Sequence, residues 1–115
     1  MQIIGIGTDI VEVKRVAAFA AKKGALERVF SKTEIEYCLP KKNKYEHFAV
    51  RFAAKEAFLK AIPFKEIALK DIEVKNLPSG APVILCKDKR IKKLKIHLSL
   101  SHFKSYATAV AVVAK

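Results

Sequence analysis

An α+β domain, in which a mainly antiparallel sheet packs on one long helix, is predicted from three features of the sequence. Residues 44–62 (KYEHFAVRFAAKEAFLKAI) are rich in Ala, contain no Gly or Pro and stop at Pro63, which predicts the long helix. Strand-like segments stand at both ends of the chain, at residues 2–11 and 106–113. A length of 115 residues suits one compact domain, expected here over residues 1–115.

The first strand is predicted from QIIGIGTDIV, residues 2–11, because it is rich in β-branched residues. Side chains alternate along a strand, so Gly5, Gly7 and Asp9 share one face, which is nearly bare. A ligand or another backbone can approach such a face closely. Helical spacing of small apolar residues then predicts a helix over residues 12–22.

The remaining elements are predicted from capping and turn residues. Ser31 and Glu34 have the spacing of a capping box, which predicts a short helix that runs through Cys38. Four further strands are expected, separated by turn residues, at residues 71–76, 82–86, 96–100 and 106–113. The lysine-rich residues 87–95 are expected to form a short helix or an extended loop. These elements complete the predicted α+β arrangement.

The net charge is +12, from 23 Lys or Arg and 11 Asp or Glu. Such a charge attracts nucleic acid, a phosphorylated small molecule or an acidic protein. The basic run at residues 87–95 contains no aromatic residue, although nucleic-acid binders commonly stack bases on aromatic side chains. A solvated lysine-rich face and a binding surface are equally compatible with that run. Charge alone therefore leaves the class of partner open.

The sequence contains no pattern typical of a membrane-spanning protein, a secreted protein or a protein built around a zinc site or disulfides. The uncharged stretch at residues 105–114 is half as long as a membrane-spanning helix, and Asp9 interrupts the apolar N-terminus. Cys38 and Cys86 are far apart in sequence, so neither a zinc site nor a disulfide framework is indicated. We therefore expect a soluble, cytoplasmic protein with no membrane partner.

Two carboxylates stand in apolar surroundings. Asp9 has the spacing of a helix cap with Glu12, or it is a metal ligand on a stiff strand. Glu56 falls in an apolar sector of the long helix, where it forms either an exposed pair with Lys60 or a second oxygen ligand for a hard cation such as Mg²⁺. His102 is either a loop histidine or a phosphate donor. His47 and His97 look ordinary.

Three motifs occur in an order that resembles the holo-[acyl-carrier-protein] synthase family. They are IGIGTDIVE at residues 4–12, RFAAKEAFLKA at residues 51–61 and SLSH at residues 99–102. Weaker matches at residues 30–34 and 76–82 extend the resemblance over nearly the whole chain. Residues 62–65, IPFK, depart from the glycine-containing turn usual in the family.

The resemblance implies the 4′-phosphopantetheinyl transferase fold in a small homotrimeric enzyme of fatty acid biosynthesis. Such an enzyme transfers 4′-phosphopantetheine from coenzyme A to a serine of apo acyl carrier protein and releases adenosine 3′,5′-bisphosphate. The alternative is a noncatalytic basic module that binds RNA or an acidic protein. If the protein is such an enzyme, no nucleic-acid partner is expected.

The resemblance also implies roles for individual residues. Asp9 and Glu56 would hold Mg²⁺, and Glu56 or a water on that metal would take the serine proton. Lys60 would stabilise the pyrophosphate of the leaving group, as the second catalytic residue. The implied coenzyme A-binding residues are Arg51, Lys60, Asn76, Gly80, Pro82, Ser101 and His102. The implied carrier-binding residues are Lys14, Arg15, Lys22 and Lys23.

Overall fold

The structure, a computed structural model, describes residues 1–64 and 66–115. Its helices and strands follow in the order β1 (Ile3–Glu12), α1 (Val13–Ala20), α2 (Ala25–Val29), α3 (Lys32–Cys38), α4 (Lys44–Ala61), a 3₁₀ turn (Leu69–Asp71), β2 (Glu73–Asn76), β3 (Pro82–Leu85), α5 (Lys89–Lys92), β4 (Lys95–His102) and β5 (Tyr106–Ala114). The family departure at residues 62–65 includes Lys65, which lies outside the described residues.

The strands form two antiparallel sheets, which confirms the predicted α+β class. One sheet has the order β1-β5-β4, and β2 pairs with β3 in a separate hairpin. In the larger sheet Asp9 lies opposite Ala109, which in turn lies opposite Leu100. The predicted sheet is thus divided: the hairpin contacts α3, α4 and strand β4 but forms a sheet of its own.

The glycine face of β1 packs directly on the backbone of α4. A Cβ atom added to Gly5 would lie 1.8 Å from the carbonyl oxygen of Ala61, and one added to Gly7 would lie 1.8 Å from that of Ala57. Any larger residue would push the helix off the strand, so glycine is required by space rather than by backbone conformation. Of the two expected uses of this face, close approach of another backbone is the one observed.

Two apolar clusters surround α4. One joins the C-terminal half of the helix, including Phe58, to the large sheet and to Ile72 and Val74. The other joins the N-terminal half, including Phe48, to α1 and to Phe30. Helix α4 is therefore the central element, and its residues are positioned from both sides. Among the described helices, α4 included, none is long and apolar enough to cross a membrane.

Several boundaries differ from those predicted. Helix α1 ends at Ala20, and Gly24, with φ of 73°, introduces the unpredicted helix α2. The 3₁₀ turn occupies the start of the strand expected from residue 71. Strand β4 extends through His102, which places the histidine in the sheet rather than in a loop. For residues 87–95 the short helix, α5, is the observed alternative.

Candidate active site

Asp9, Glu56 and Lys60, here called the carboxylate cluster, meet where β1 crosses α4. Lys60 Nζ lies 3.3 Å from Asp9 Oδ1 and donates a hydrogen bond of 3.0 Å to the carbonyl oxygen of Thr8. Asp9 and Glu56 both line a pocket of about 390 Å³. The glycines at positions 5 and 7 allow this arrangement, because they let the helix backbone approach the strand that carries Asp9.

The structure decides between the alternatives left open for these carboxylates. Asp9 does not cap α1, because the N-cap position belongs to Glu12 and no side chain makes a capping hydrogen bond there. The Lys60 ammonium forms its ion pair with Asp9 on β1. Among the described residues, no ion pair joins Lys60 to Glu56. The helix-cap and the helix-surface interpretations are therefore wrong.

The electrostatics of the carboxylate cluster suit a divalent cation. Burial raises the pKa of Glu56, the nearby Asp9 charge raises it further, and Lys60 opposes both. Asp9 pairs with Lys60, whereas Glu56 makes no ion pair among the described residues; Glu12 and Arg15 line the same pocket. Mg²⁺ commonly takes one or two carboxylates and keeps waters or phosphates as its other ligands. Asp9 and Glu56 fit that pattern; within the described residues no group of three or more metal-binding side chains occurs.

A second cluster, here called the arginine cluster, consists of Tyr37, His47, Arg51, Asn76 and His102. The buried guanidinium of Arg51 donates from Nη2 to Asn76 Oδ1 at 2.6 Å and lies 4.3 Å from the centre of the Tyr37 ring. Its Nε–H is buried and has no hydrogen-bond partner among the described residues. The cluster thus joins α3, α4, β2 and β4 around one cation.

His102 enters this cluster from β4. Its Nδ1 lies 3.0 Å from Glu46 Oε1, and its ring centre lies 5.5 Å from that of His47. His47 in turn lies 5.8 Å from the Tyr37 ring. Burial and the adjacent Arg51 and His102 lower the pKa of His47, which favours its neutral form beside the Arg51 guanidinium.

Sequence reasoning missed the part that Tyr37, Glu46 and His47 play in this site. One signal was available: His47 and Arg51 are four residues apart, so they lie on one side of α4. The carbonyl oxygen of His47 accepts a hydrogen bond from Arg51 Nη1 at 3.4 Å. Tyr37 has no such signal, because α3 reaches the cluster only through tertiary packing.

The turn between β2 and β3 lies beside the arginine cluster. Asn76 Nδ2 donates to the carbonyl oxygen of Gly80 at 3.1 Å, and Asn76 and Pro82 are opposite each other in the hairpin. Gly80 has φ of 92°, which favours glycine strongly. Ser101 is exposed on β4, next to His102. The residues implied for coenzyme A binding, apart from Lys60 and Ser101, therefore gather at the arginine cluster. The Ser101 side chain lies on the opposite face of the sheet from His102, because side chains alternate along a strand.

The two clusters are separated along α4. Glu46 and Glu56 lie about 15 Å apart along the helix axis, at about 1.5 Å per residue. Arg51 and Glu56 differ by about 140° around the axis, at about 100° per residue. Lys60 thus stands with the carboxylates, while Arg51 serves a different side of the helix.

Basic side chains border the carboxylate cluster. Lys14 and Arg15 are exposed on α1, whereas Lys22 and Lys23 are exposed just beyond its end. Arg15 also lines the pocket that Asp9 and Glu56 share, together with apolar side chains that include Phe19 and Phe52. The basic surface is therefore continuous with the pocket.

The chain is similar to known proteins over nearly its whole length. The family model of the 4′-phosphopantetheinyl transferase superfamily matches residues 5–111. A holo-[acyl-carrier-protein] synthase of Halothermothrix orenii is 44% identical over 96% of this chain and 96% of the relative. The holo-[acyl-carrier-protein] synthase of Bacillus subtilis is 39% identical over 96% of this chain and 95% of the relative.

Solved structures agree with this likeness. The holo-(acyl-carrier-protein) synthase of Bacillus anthracis, in complex with CoA (3′,5′-ADP), superposes with a TM-score of 0.85 at 35% identity, over 98% of this chain and 97% of the other. The corresponding enzyme of Neisseria meningitidis gives a TM-score of 0.87 at 27% identity, over 98% and 99%. These matches confirm the resemblance seen in the three sequence motifs. The chain belongs to the 4′-phosphopantetheinyl transferase superfamily, as a member of its holo-[acyl-carrier-protein] synthase family.

Proposed function

We propose that this protein transfers 4′-phosphopantetheine from coenzyme A to a serine of apo acyl carrier protein and releases adenosine 3′,5′-bisphosphate, in support of fatty acid biosynthesis. The observation that carries the proposal is the carboxylate cluster: Asp9 and Glu56 share one pocket, with Lys60 beside them. The coenzyme A complex of the Bacillus anthracis relative supports coenzyme A as the donor. The location that we propose with this function is the cytoplasm.

Asp9 and Glu56 would hold the metal, which we propose to be Mg²⁺. When bound, the metal supplies positive charge that neutralises the pyrophosphate and polarises the reacting phosphoryl group. The fit rests on two carboxylates that line one pocket, of which Glu56 has no ion-pair partner among the described residues. The chain's own contribution is to hold these two carboxylates on a strand and a helix that cannot separate, because Gly7 packs against the helix backbone.

The transfer exchanges one phosphate oxygen for another. The serine Oγ forms a bond to the phosphorus that bears the pantetheine arm, and the bond from that phosphorus to the adenosine bisphosphate oxygen breaks. The electron pair leaves with that oxygen, whose growing charge the Lys60 ammonium stabilises. A Glu56 carboxylate oxygen accepts the serine proton.

The arginine cluster is the proposed anchor for the phosphates and the adenine end of coenzyme A. His102 and Ser101 present donors at the exposed end of β4, and the turn at residues 76–82 presents backbone groups. Arg51 is buried, and its hydrogen bond to Asn76 positions the turn that would meet coenzyme A. The anchor binds the adenosine end of the donor, while the carboxylate cluster acts at the pyrophosphate, where the bond breaks.

A homotrimer is the proposed assembly, built from one domain over residues 1–115. The outer face of the sheet leaves Ile6 and Ile10 62% and 66% exposed, and Val110 40% exposed beside them. A second copy would cover this apolar face and bring its own arginine cluster close to the carboxylate cluster. Assembly also enlarges the buried core of a small chain. Sedimentation equilibrium tests the mass of the assembly directly.

Lys14, Arg15, Lys22 and Lys23 are the proposed docking surface for the carrier. These side chains are exposed, and one of them, Arg15, lines the pocket. An acidic carrier surface would be attracted to them, and the encounter would be fast and sensitive to salt. The apolar wall of the pocket would then receive the apolar part of the docked surface.

The proposal is tested by incubating the protein with coenzyme A, Mg²⁺ and an apo acyl carrier protein, then weighing the carrier by mass spectrometry. We expect one 4′-phosphopantetheine per carrier with the wild type, and none with Asp9→Ala. Asp71→Ala, which removes an exposed carboxylate outside the cluster, is the matched control and should retain full activity. No addition by the wild type with several carriers, or full activity in Asp9→Ala, would favour the noncatalytic basic module.

A further inference from the structure

Lys55 and Glu34 form an ion pair that is sealed inside the protein. Lys55 Nζ lies 2.6 Å from Glu34 Oε1, and both side chains are 0% exposed. The same ammonium donates to the carbonyl oxygens of Val29 at 2.8 Å and Leu69 at 2.9 Å. All three of its protons are therefore used, and the pair has no capacity left for a ligand.

The Glu34 carboxylate extends this network to β2. Its Oε1 also accepts from the backbone N–H of Ser31 at 2.9 Å, which completes the capping box of α3. Its Oε2 accepts from the backbone N–H of Val74 at 2.8 Å. One carboxylate thus joins the start of α3, the middle of α4 and strand β2.

The network runs parallel to a second cross-link between the same two elements. Lys55 lies one turn after Arg51 on α4, about 6 Å along the axis. Val74 lies two residues before Asn76 on β2, a distance of about 6.6 Å. Two links therefore join α4 to β2: the buried bridge from Lys55 through Glu34 to Val74, and the direct Arg51–Asn76 hydrogen bond. The distance between the two links is nearly the same on the helix as on the strand.

We propose that the Lys55–Glu34 pair is a positioning device for coenzyme A: it sets the β2–β3 hairpin on α4 at the height where Asn76 meets Arg51 and the turn at residues 76–82 faces the donor. Neither residue touches the substrate. The inference rests on the proposed function, because it concerns the turn assigned there to coenzyme A. It also gives a role to Lys55, which is adjacent to the proposed catalytic Glu56 and is linked to the hairpin through Glu34.

Two double variants separate positioning from stability. Glu34→Leu with Lys55→Met removes both buried charges and the acceptor for the Val74 N–H. Glu34→Gln with Lys55→Met removes the same charges but keeps a carbonyl oxygen for that N–H. We expect the KM for coenzyme A to rise about tenfold in the first variant, within the usual range for coupled sites. The kcat and the KM for the carrier should change little.

In the glutamine variant the KM for coenzyme A should recover only in part, because the bond to Val74 is kept while the bond to α4 through Lys55 is lost. Val113→Ala removes buried volume from β5, a strand of the larger sheet rather than of the hairpin, and serves as the control for lost stability. It should lower the melting temperature without changing the KM for coenzyme A. An unchanged KM in the leucine variant, or equal rises in the leucine variant and in Val113→Ala, overturns the proposal.

A measurement on the wild type keeps the test independent of variants that fail to fold and of transfer activity. Coupling is reciprocal, so coenzyme A bound at the turn must stabilise the bond to Val74. We expect coenzyme A alone to slow hydrogen exchange at the Val74 and Lys75 amides. Slower exchange near His102 with no change at Val74 means that coenzyme A binds without using the bridge, and overturns the positioning role. Failure of the proposed function appears instead as absent transfer with this exchange pattern intact.

Discussion

Helix α4 carries two lysine–carboxylate pairs that differ in almost every physical respect. The Lys55–Glu34 pair is 2.6 Å long and has side chains that are 0% exposed. The Lys60–Asp9 pair is 3.3 Å long, with side chains that are 54% and 17% exposed. The two lysines are little more than one helical turn apart, so the same element supplies both environments.

The difference shows how one helix can separate structure from chemistry. Lys55 satisfies every donor with protein atoms, and breaking its pair would leave an uncompensated buried charge. Lys60 faces solvent and lies beside Glu56, whose carboxylate has no ion-pair partner within the described part of the chain. Such a pair can exchange its partner for a phosphate at little cost. Each prediction below either removes one pair or changes the charge around it.

The largest effect on stability is expected for Lys55→Met. Because the variant leaves the Glu34 charge buried and unpaired, we expect the free energy of unfolding to fall by about 3–5 kcal/mol in urea titrations. Adding Glu34→Leu should recover a large part of that loss. A loss below about 1 kcal/mol in the single variant would show that this buried pair contributes no more than an exposed ion pair, and would contradict the difference between the two pairs.

Glu56→Gln tests the catalytic side of the comparison. Removing the proton acceptor and one proposed metal ligand should lower kcat by about 10²–10⁴-fold, while thermal unfolding still shows a folded protein. Glu36→Gln, an exposed carboxylate on α3, is the matched control and should keep its activity. Transfer at the wild-type rate in Glu56→Gln would remove this residue from the mechanism.

Lys60→Ala should affect catalysis strongly and stability weakly. We expect kcat/KM to fall by about 10²-fold, since one donor to the leaving group is lost. The free energy of unfolding should change by less than about 1 kcal/mol, because the ammonium is largely in solvent. Steady-state kinetics and denaturation of the same preparation check both values. A large loss of stability would show that Lys60 is a structural residue like Lys55.

Replacing Lys14, Arg15, Lys22 and Lys23 by Gln should raise the KM for the carrier about tenfold at low salt, and less at high salt, with a smaller change in kcat. The control is the replacement of Lys87, Lys89, Lys92 and Lys93 by Gln, which lowers the net charge equally at the α5 end of the chain. Equal rises in KM in both variants would indicate a general charge effect rather than a docking surface.

The smallest expected effect concerns stability and pH in the metal-free protein. The pKa of Glu56 is raised on folding, so its stabilising contribution is present below the ordinary glutamate range and is lost as pH rises through the folded pKa. Glu56→Gln should therefore be more stable than the wild type at neutral pH. The difference in melting temperature should vanish at about pH 4, near the ordinary pKa. A difference that grows toward low pH would contradict the raised pKa.

Local rules sufficed for the elements with strong local signals. The capping box at Ser31 and Glu34 and the alanine-rich run before Pro63 predicted α3 and α4 close to their observed bounds. Helix α2 was not predicted, because five residues are too few to show a helical period. The division of the strands into two sheets also lay beyond the sequence, because pairing depends on contacts between distant segments.

The candidate site was predictable where a residue was out of place. Asp9 and Glu56 stand out as carboxylates in apolar segments, and both line the pocket. Tyr37 and His47 are unremarkable in sequence and join the arginine cluster only because α3 and β4 pack on α4. The fold brings such residues together from distant parts of the chain, so no local sequence pattern predicts them.

The sequence by itself determined the charge, the long helix and the bare glycine face that brings β1 and α4 together. It did not determine which lysine pairs with which carboxylate. Glu56 and Lys60 have helical spacing for a pair, yet Lys60 binds Asp9, 51 residues away, and Lys55 binds Glu34, 21 residues away. Only the tertiary structure decides this, because the packing of β1 and α3 on α4 sets both the distance between charges and their exposure to water. Those two quantities control the strength of an ion pair.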